Sequence, residues 1–134
     1  MAGEDRSVYR VVSAEIQREG RYLITQRAKI AVLPLLWEFP GGRVRAGEDD
    51  TEVLRRNLKR RLGVEAEVGE MVMEVTHEYD GYDLVMGVYR CALTGAEPSC
   101  VTVENLAWVL PEEFAEYPFP GADQKTVDAL LGGE

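Results

Sequence analysis

The N-terminal part of the chain alternates apolar and polar residues, which is the pattern of β-strands. This alternation over residues 8–19 and 21–27 predicts two strands, and Glu19-Gly20 between them is typical of a hairpin turn. Residues 1–7 precede the pattern, and we expect them to be frayed.

A loop region leads into the clearest helical segment. Residues 28–36 predict a loop, and the glycine-rich residues 37–47 predict irregular backbone or short strands. The apolar spacing then becomes helical and predicts a helix over residues 50–62, with Gly63 as its C-terminal stop. Capping groups for the first turn are offered by Asp49, Asp50 and Thr51.

The second half of the chain is again rich in strand patterns. Residues 65–79 and 82–93 alternate well, and Asp80-Gly81 between them predicts a hairpin. Residues 101–110 predict a further strand, and residues 122–131 predict a closing helix. Strands in the centre with helices around them indicate an α/β protein with a mixed sheet.

Composition and charge narrow the class of protein. The 134 residues are the length of one domain, which we place at residues 1–134. A formal net charge of −9 repels nucleic-acid phosphates, so we expect no duplex as a partner. No apolar run approaches the roughly 20 residues that span a bilayer, and the acidic start is unlike a secretory signal. We therefore expect a cytoplasmic protein with no membrane partner.

A dense motif joins the loop region to the helix. The run W-E-F-P-G-G at residues 37–42 is followed by Glu48 and Arg56, in the spacing Gly-x5-Glu-x7-Arg counted from Gly42. This motif resembles the box of the Nudix family, G-x5-E-x7-R-E-U-x-E-E-x-G-U, where U is a bulky aliphatic residue. The closing positions of the box are also in register, at Leu58, Gly63 and Val64.

The resemblance extends beyond the box and covers nearly the whole chain. Residues 22–27, 108–114 and 119–123 resemble the family's segments before and after it. The resemblance implies a Nudix fold, an α/β/α sandwich with a mixed central sheet. It also implies the activity of small MutT-type nucleoside triphosphate pyrophosphohydrolases, in which box glutamates hold Mg²⁺ or Mn²⁺ against a polyphosphate.

The chain departs from the family pattern where the metal would bind. Asn57, Arg60 and Arg61 stand at the three glutamate positions, so an amide and two guanidiniums replace three carboxylates. Glu48 and Arg56 are retained from the box. Many relatives carry Glu-His before the late Trp, where this chain has Thr102 and Val103. We therefore expect no metal site and no cofactor, with Mg²⁺ bound only if other acids have rebuilt the site.

Several side chains are candidates for ligand binding. Helical geometry places Arg61 on the flank of the apolar stripe, near the sheet, where it needs an anion. That anion is either Glu38 or Glu48 in a structural salt bridge, or a ligand phosphate. Asp123 is the N-cap of the last helix, a group that reads a base, or both. The full set of candidate ligand-binding residues is Arg27, Glu38, Phe39, Arg60, Arg61 and Asp123.

Three hypotheses for function follow. The first is a weakly active or inactive member that binds a nucleotide or another phosphorylated small molecule. The second is an active pyrophosphohydrolase whose metal site is rebuilt from Glu48 and other acids. The third is a non-catalytic scaffold in which arginines and glutamates fill the old cleft. Whether the chain is an enzyme, and its oligomeric state, stay open at this point.

Overall fold

Seven strands and two α-helices make up the computed structural model of the protein, which describes residues 6–31 and 34–131. The first half contains β1 (Ser7–Arg18), β2 (Arg21–Gln26), β3 (Trp37–Glu38), β4 (Gly41–Val44) and α1 (Asp50–Leu62). The second half contains β5 (Ala66–Tyr79), β6 (Tyr82–Leu93), β7 (Asn105–Val109), a short 3₁₀ helix (Pro111–Glu116) and α2 (Gly121–Leu130). Neither α-helix in this part of the chain has the length and apolar character that crossing a bilayer requires.

Strand β1 is shared between two sheets. Along most of its length it pairs in parallel with β6, which in turn pairs with β5. On its other edge, the residues of β1 from Arg10 to Ser13 pair with β4, and Gln17 and Arg18 pair with β2. Strand β2 then pairs with β3 and β7 to form the second sheet. The two sheets therefore diverge beside the middle of β1 and leave a gap there.

The two helices pack on opposite faces of the strands. Alternate residues of β1, among them Val12 and Ala14, pack against Leu54 and Leu58 of α1. The other face of the strands packs against α2, where Ala122 contacts Val75, Met86 and Val88. This arrangement confirms the predicted α/β/α sandwich with a mixed sheet.

The ends of α1 follow from local sequence. Asp49 is the N-cap, and its carboxylate accepts hydrogen bonds from Glu52 N at 3.2 Å and from the Thr51 hydroxyl at 2.6 Å. Gly63 ends the helix in the left-handed conformation, with φ of 70°. The bounds of the helix are those predicted.

Two predicted element boundaries are wrong. The strand predicted over residues 101–110 exists only from Asn105, because the segment before it bonds to the end of α1 instead. Ser99 N donates to Leu62 O at 2.9 Å, and Val101 N and Thr102 N donate to Arg61 O. A frayed start was predicted over residues 1–7. Residues 1–5 lie outside the described part of the chain, whereas Ser7 already belongs to β1.

Gly42 lets β4 approach α1, and this contact can be tested. A Cβ atom at position 42 would collide with the carboxamide of Asn57. We expect Gly42→Ala to lower the free energy of unfolding by about 1–3 kcal/mol, the usual cost of overpacking. Urea unfolding measures the change. In an Asn57→Ala background the same substitution should cost clearly less; equal costs in both backgrounds would contradict the contact.

Candidate functional site

A cleft of about 280 Å³ opens at the gap between the sheets, on the face that carries α2. Its apolar wall is formed by Val11, Phe39, Leu84, Met86 and Ala122. Its polar and charged lining consists of Ser13, Arg27, Glu38, Arg43, Arg61, Tyr79, Tyr82 and Asp123. Five of the six predicted ligand-binding residues therefore share one cavity, and Arg60 is the exception.

Two buried polar groups line the apolar part of the cleft. One oxygen of Asp123 accepts a hydrogen bond from Phe39 N at 3.2 Å. Burial, with the nearby charge of Glu38, raises the pKa of Asp123 to about 8, so the carboxyl is protonated at neutral pH. The hydroxyl of Ser13 is buried and has no hydrogen-bond partner among the described residues. Both groups are suited to hydrogen-bond a polar ring.

Asp123 does not cap α2, so that prediction is wrong. The N-cap position is Pro120, and Asp123 lies in the first turn of the helix. The phenol oxygen of Tyr79 accepts a hydrogen bond from Ala122 N at 3.1 Å. Tyr79 from one sheet and Phe39 beside the other therefore both hold the start of α2.

Three guanidinium groups line the cleft, each with a different environment. Arg27 bonds to Glu38 at 2.9 Å. The guanidinium of Arg43 lies over the ring of Tyr9, 4.4 Å from its centroid. Arg61 is half-buried, and within the described part of the chain no carboxylate oxygen lies within 4.0 Å of it. Burial lowers the pKa of Arg61, although the charge of Glu38 opposes this shift.

The structural salt bridge predicted for Arg61 is therefore wrong. Glu38 is bonded to Arg27, and Glu48 is bonded to Arg56 at 3.0 Å. The second oxygen of Glu48 accepts from Arg45 N at 2.9 Å, and this bond with that to Arg56 lowers the pKa of Glu48. Glu48 and Arg56 thus fix the loop before α1.

Asn57 organises the arginines of α1. It is 3% exposed, and its amide nitrogen donates to Val53 O at 2.9 Å. Its single side-chain oxygen accepts from Arg60 at 2.6 Å and more weakly from Arg61 at 3.4 Å. The oxygen is therefore already used by two cations.

A second cavity, of about 270 Å³, adjoins the cleft. Arg60 lines it, together with Thr102 and Val103, whereas Arg27, Glu38 and Arg61 line both cavities. The two cavities together contain all six predicted ligand-binding residues.

The side chains at the box positions do not fit a divalent cation. Mg²⁺ and Mn²⁺ need several oxygen ligands, whereas Glu48 is the one carboxylate at these positions and the side-chain oxygen of Asn57 already accepts bonds from Arg60 and Arg61. Glu74, another acid that a rebuilt site could use, is bonded to Arg10 at 3.0 Å. In residues 6–31 and 34–131, no three His, Cys, Asp or Glu side chains are grouped so that they could hold a metal ion. Glu104, a further acid near these positions, lies in the irregular segment before β7 and is exposed.

Sequence reasoning missed several residues of the cleft. Ser13 and Arg43 line it because β1 pairs with β4 beside the gap, and Tyr79 and Tyr82 line it from the hairpin of β5 and β6. The alternation within each strand shows which residues share a face, but it does not show which strands are neighbours. The parallel pairing of β1 with β6 then brings Tyr79 and Tyr82 to the same cleft as Ser13 and Arg43.

The raised pKa of Asp123 has a measurable consequence. Between about pH 4, where an unfolded Asp ionises, and pH 8 the folded protein holds a proton that the unfolded chain has lost. The contribution of this proton to the free energy of unfolding is therefore greatest below about pH 4 and is lost as the pH rises to about 8.

The side chain of an Asp123→Asn variant stays neutral at every pH. The free energy of unfolding of this variant, relative to that of wild type, should therefore rise by more than about 1 kcal/mol from pH 5 to pH 8. Urea unfolding gives these values. Asp128→Asn, at an exposed site on the same helix, is the control, and parallel profiles for Asp123→Asn and wild type would contradict the assignment.

Comparisons with known proteins agree with this architecture. A family model described as the NUDIX domain matches residues 11–129. The CTP pyrophosphohydrolase of Escherichia coli K12 is 33% identical over 121 residues, which cover 90% of each chain. The 8-oxo-dGTP diphosphatase of Haemophilus influenzae is 28% identical over 128 residues, covering 95% of this chain and 94% of the relative. The solution structure of the E. coli ORF135 protein has a TM-score of 0.82 and 32% identity, covering 96% of this chain and 92% of that one. With a family model that spans most of its length and a relative above 30% identity over nine tenths of it, the chain belongs to the Nudix family.

Proposed function

We propose that the protein binds a nucleotide or another phosphorylated small molecule in the cleft without a metal ion, and that it hydrolyses this ligand weakly or not at all. The observation that carries the proposal is Arg61, a half-buried cation in the cleft with no carboxylate within 4.0 Å among the described residues. The names of the relatives, a CTP pyrophosphohydrolase and an 8-oxo-dGTP diphosphatase, support nucleotides as the ligand class.

A phosphate would complete the surroundings of Arg61. A partly buried guanidinium is costly without an anion, and its planar fork binds a phosphate through two hydrogen bonds. Arg27 and Arg43 line the same cleft and add positive charge within a chain whose net charge is −9. Glu38 is bonded to Arg27, whereas no carboxylate oxygen among the described residues lies within 4.0 Å of Arg43 or Arg61.

The rest of the ligand would occupy the apolar part of the cleft. The half-buried Val11 and Leu84 offer apolar surface for a ring, to which Phe39, at 3% exposed, adds little. Asp123 and Ser13 offer hydrogen bonds at the edge of the ring. A protonated Asp123 can donate as well as accept, which suits the mixed polar edge of a nucleobase. In this role Glu38 holds Arg27 in place and contacts the ligand beside it.

Weak hydrolysis follows from the same side chains. Hydrolysis of a phosphoanhydride needs a positioned water and an electrophile or base that activates it. Glu48, the carboxylate retained from the box, accepts bonds from Arg45 and Arg56 with both oxygens, and its lowered pKa makes it a poor base. The guanidiniums would hold the phosphates but cannot accept a proton from water.

Binding without metal can be measured by thermal unfolding with CTP and with 8-oxo-dGTP, each in EDTA. We expect the melting temperature to rise equally with and without EDTA, and less at high salt, because the attraction is between charges. Arg61→Ala should weaken binding by about 1.5–3 kcal/mol, the value of a charge-assisted hydrogen bond. Arg55→Ala removes the same charge from an exposed position on α1 and should leave binding unchanged.

Two results would contradict this proposal. If binding requires Mg²⁺, the site is a metal site after all. If Arg61→Ala lowers stability while neither protein binds any nucleotide, the cleft serves the fold, and the scaffold hypothesis is the better one.

The charge of α1 provides a second test. We expect turnover of dGTP, 8-oxo-dGTP and CTP with Mg²⁺ to be near background for the unmodified protein. The combined variant Asn57→Glu, Arg60→Glu and Arg61→Glu should gain Mn²⁺ affinity by titration calorimetry, because it restores three carboxylates to one helix face. Rapid turnover by the unmodified protein that Glu48→Gln abolishes would show instead that the metal site has been rebuilt.

A further inference from the structure

The second cavity lies where the family resemblance places acidic metal ligands, but its lining is basic and neutral. Arg60 stands at a glutamate position of the box, and Thr102 and Val103 stand at the Glu-His positions. Arg61 stands at another glutamate position of the box and lines both this cavity and the cleft. The chemistry of this cavity is therefore that of an anion site.

The local charge is strongly positive. Arg27, Arg60 and Arg61 line the second cavity, and Glu38 is the single acid among its lining residues. Glu38 is bonded to Arg27, so its charge is already shared. Neither Arg60 nor Arg61 has a carboxylate oxygen within 4.0 Å in the described part of the chain.

The two unpaired guanidiniums are also held in place. Both bond to the same oxygen of Asn57, at 2.6 Å from Arg60 and 3.4 Å from Arg61. The backbone at Arg61 is fixed by Val101 N and Thr102 N, which donate to its carbonyl oxygen. The short bond from Arg60 orients its guanidinium before any ligand arrives, which lowers the conformational cost of binding an anion.

We propose that the second cavity is an anion subsite that takes the terminal phosphates of a polyphosphate ligand without a metal ion. This inference rests on the proposed function, because it places the first phosphate of the ligand at Arg61 in the cleft. The cavities measure about 280 and 270 Å³, and each alone falls below the roughly 300–1,000 Å³ of small-molecule sites. A ligand that extends from one into the other matches that range.

The subsite selects for the number of phosphates. A nucleoside monophosphate reaches Arg61 and Arg27, which line both cavities, but does not extend to Arg60, which lines the second cavity alone. A diphosphate or triphosphate places further charge beside Arg60. The ligand class is therefore a nucleoside polyphosphate, bound through arginine instead of through a metal ion.

The test compares CMP, CDP and CTP by titration calorimetry in EDTA, with wild type and with Arg60→Gln. We expect CTP to bind wild type at least about tenfold more tightly than CMP, a factor that corresponds to about 1.4 kcal/mol. Arg60→Gln should remove most of this preference, because it should lower CTP affinity much more than CMP affinity. Arg55→Gln removes an equal charge from an exposed residue of α1 that lines neither cavity, so it should keep the preference.

Inorganic tripolyphosphate separates this inference from the proposed function. It should raise the melting temperature of wild type and of Arg55→Gln, but not of Arg60→Gln. If no nucleotide binds but tripolyphosphate does so through Arg60, the nucleotide proposal fails and the anion subsite stands. If CMP and CTP bind equally well, or if Arg60→Gln and Arg55→Gln behave alike, the anion subsite is overturned.

Discussion

The change of partners along β1 is the constraint on which the rest of the structure depends. One edge of this strand bonds to β4 through Ser13 and to β2 from Gln17, so two sheets must diverge beside it. Backbone hydrogen bonds cannot be left unmade inside a protein, and Ala14 N instead donates to Pro40 O at 2.8 Å. The gap between the sheets becomes the cleft, and the glycines of β4 let this strand approach β1 on one side and Asn57 of α1 on the other.

Arg60 and Arg61 are compatible with the fold for a simple electrostatic reason. They lie in the last turn of the helix, together with Lys59, where the carbonyl groups give the helix its negative end. Carboxylates in the same turn are unfavourable unless a metal ion compensates them. Cations are stabilised there without any ion, each by about 0.3–1 kcal/mol when exposed. The helix end therefore favours the residues that this chain has, whatever they bind.

Local signals allowed the helix bounds to be predicted, and distant contacts account for the errors. Asp49 and Gly63 define α1 through contacts within a few residues, so the sequence alone was sufficient. Residues 101–104 have the composition of a strand, but Val101 N and Thr102 N donate to Arg61 O at the end of α1, some 40 residues earlier. Helical spacing was enough to predict that Arg61 lies near the sheet. Helical spacing could not show that Glu38 would bond to Arg27 instead of to Arg61.

The parallel pairing of β1 with β6 also has a consequence for how the protein acquires its shape. Ser7 pairs with Tyr82, so the ribosome must synthesise about 75 further residues before the first strand can find its main neighbour. Contacts between such distant residues slow folding, because the chain between them must first be ordered. The hairpin of β1 and β2 is local and can form early, but the cleft cannot exist until β6 has docked. The lining of the cleft is therefore complete only in the finished domain.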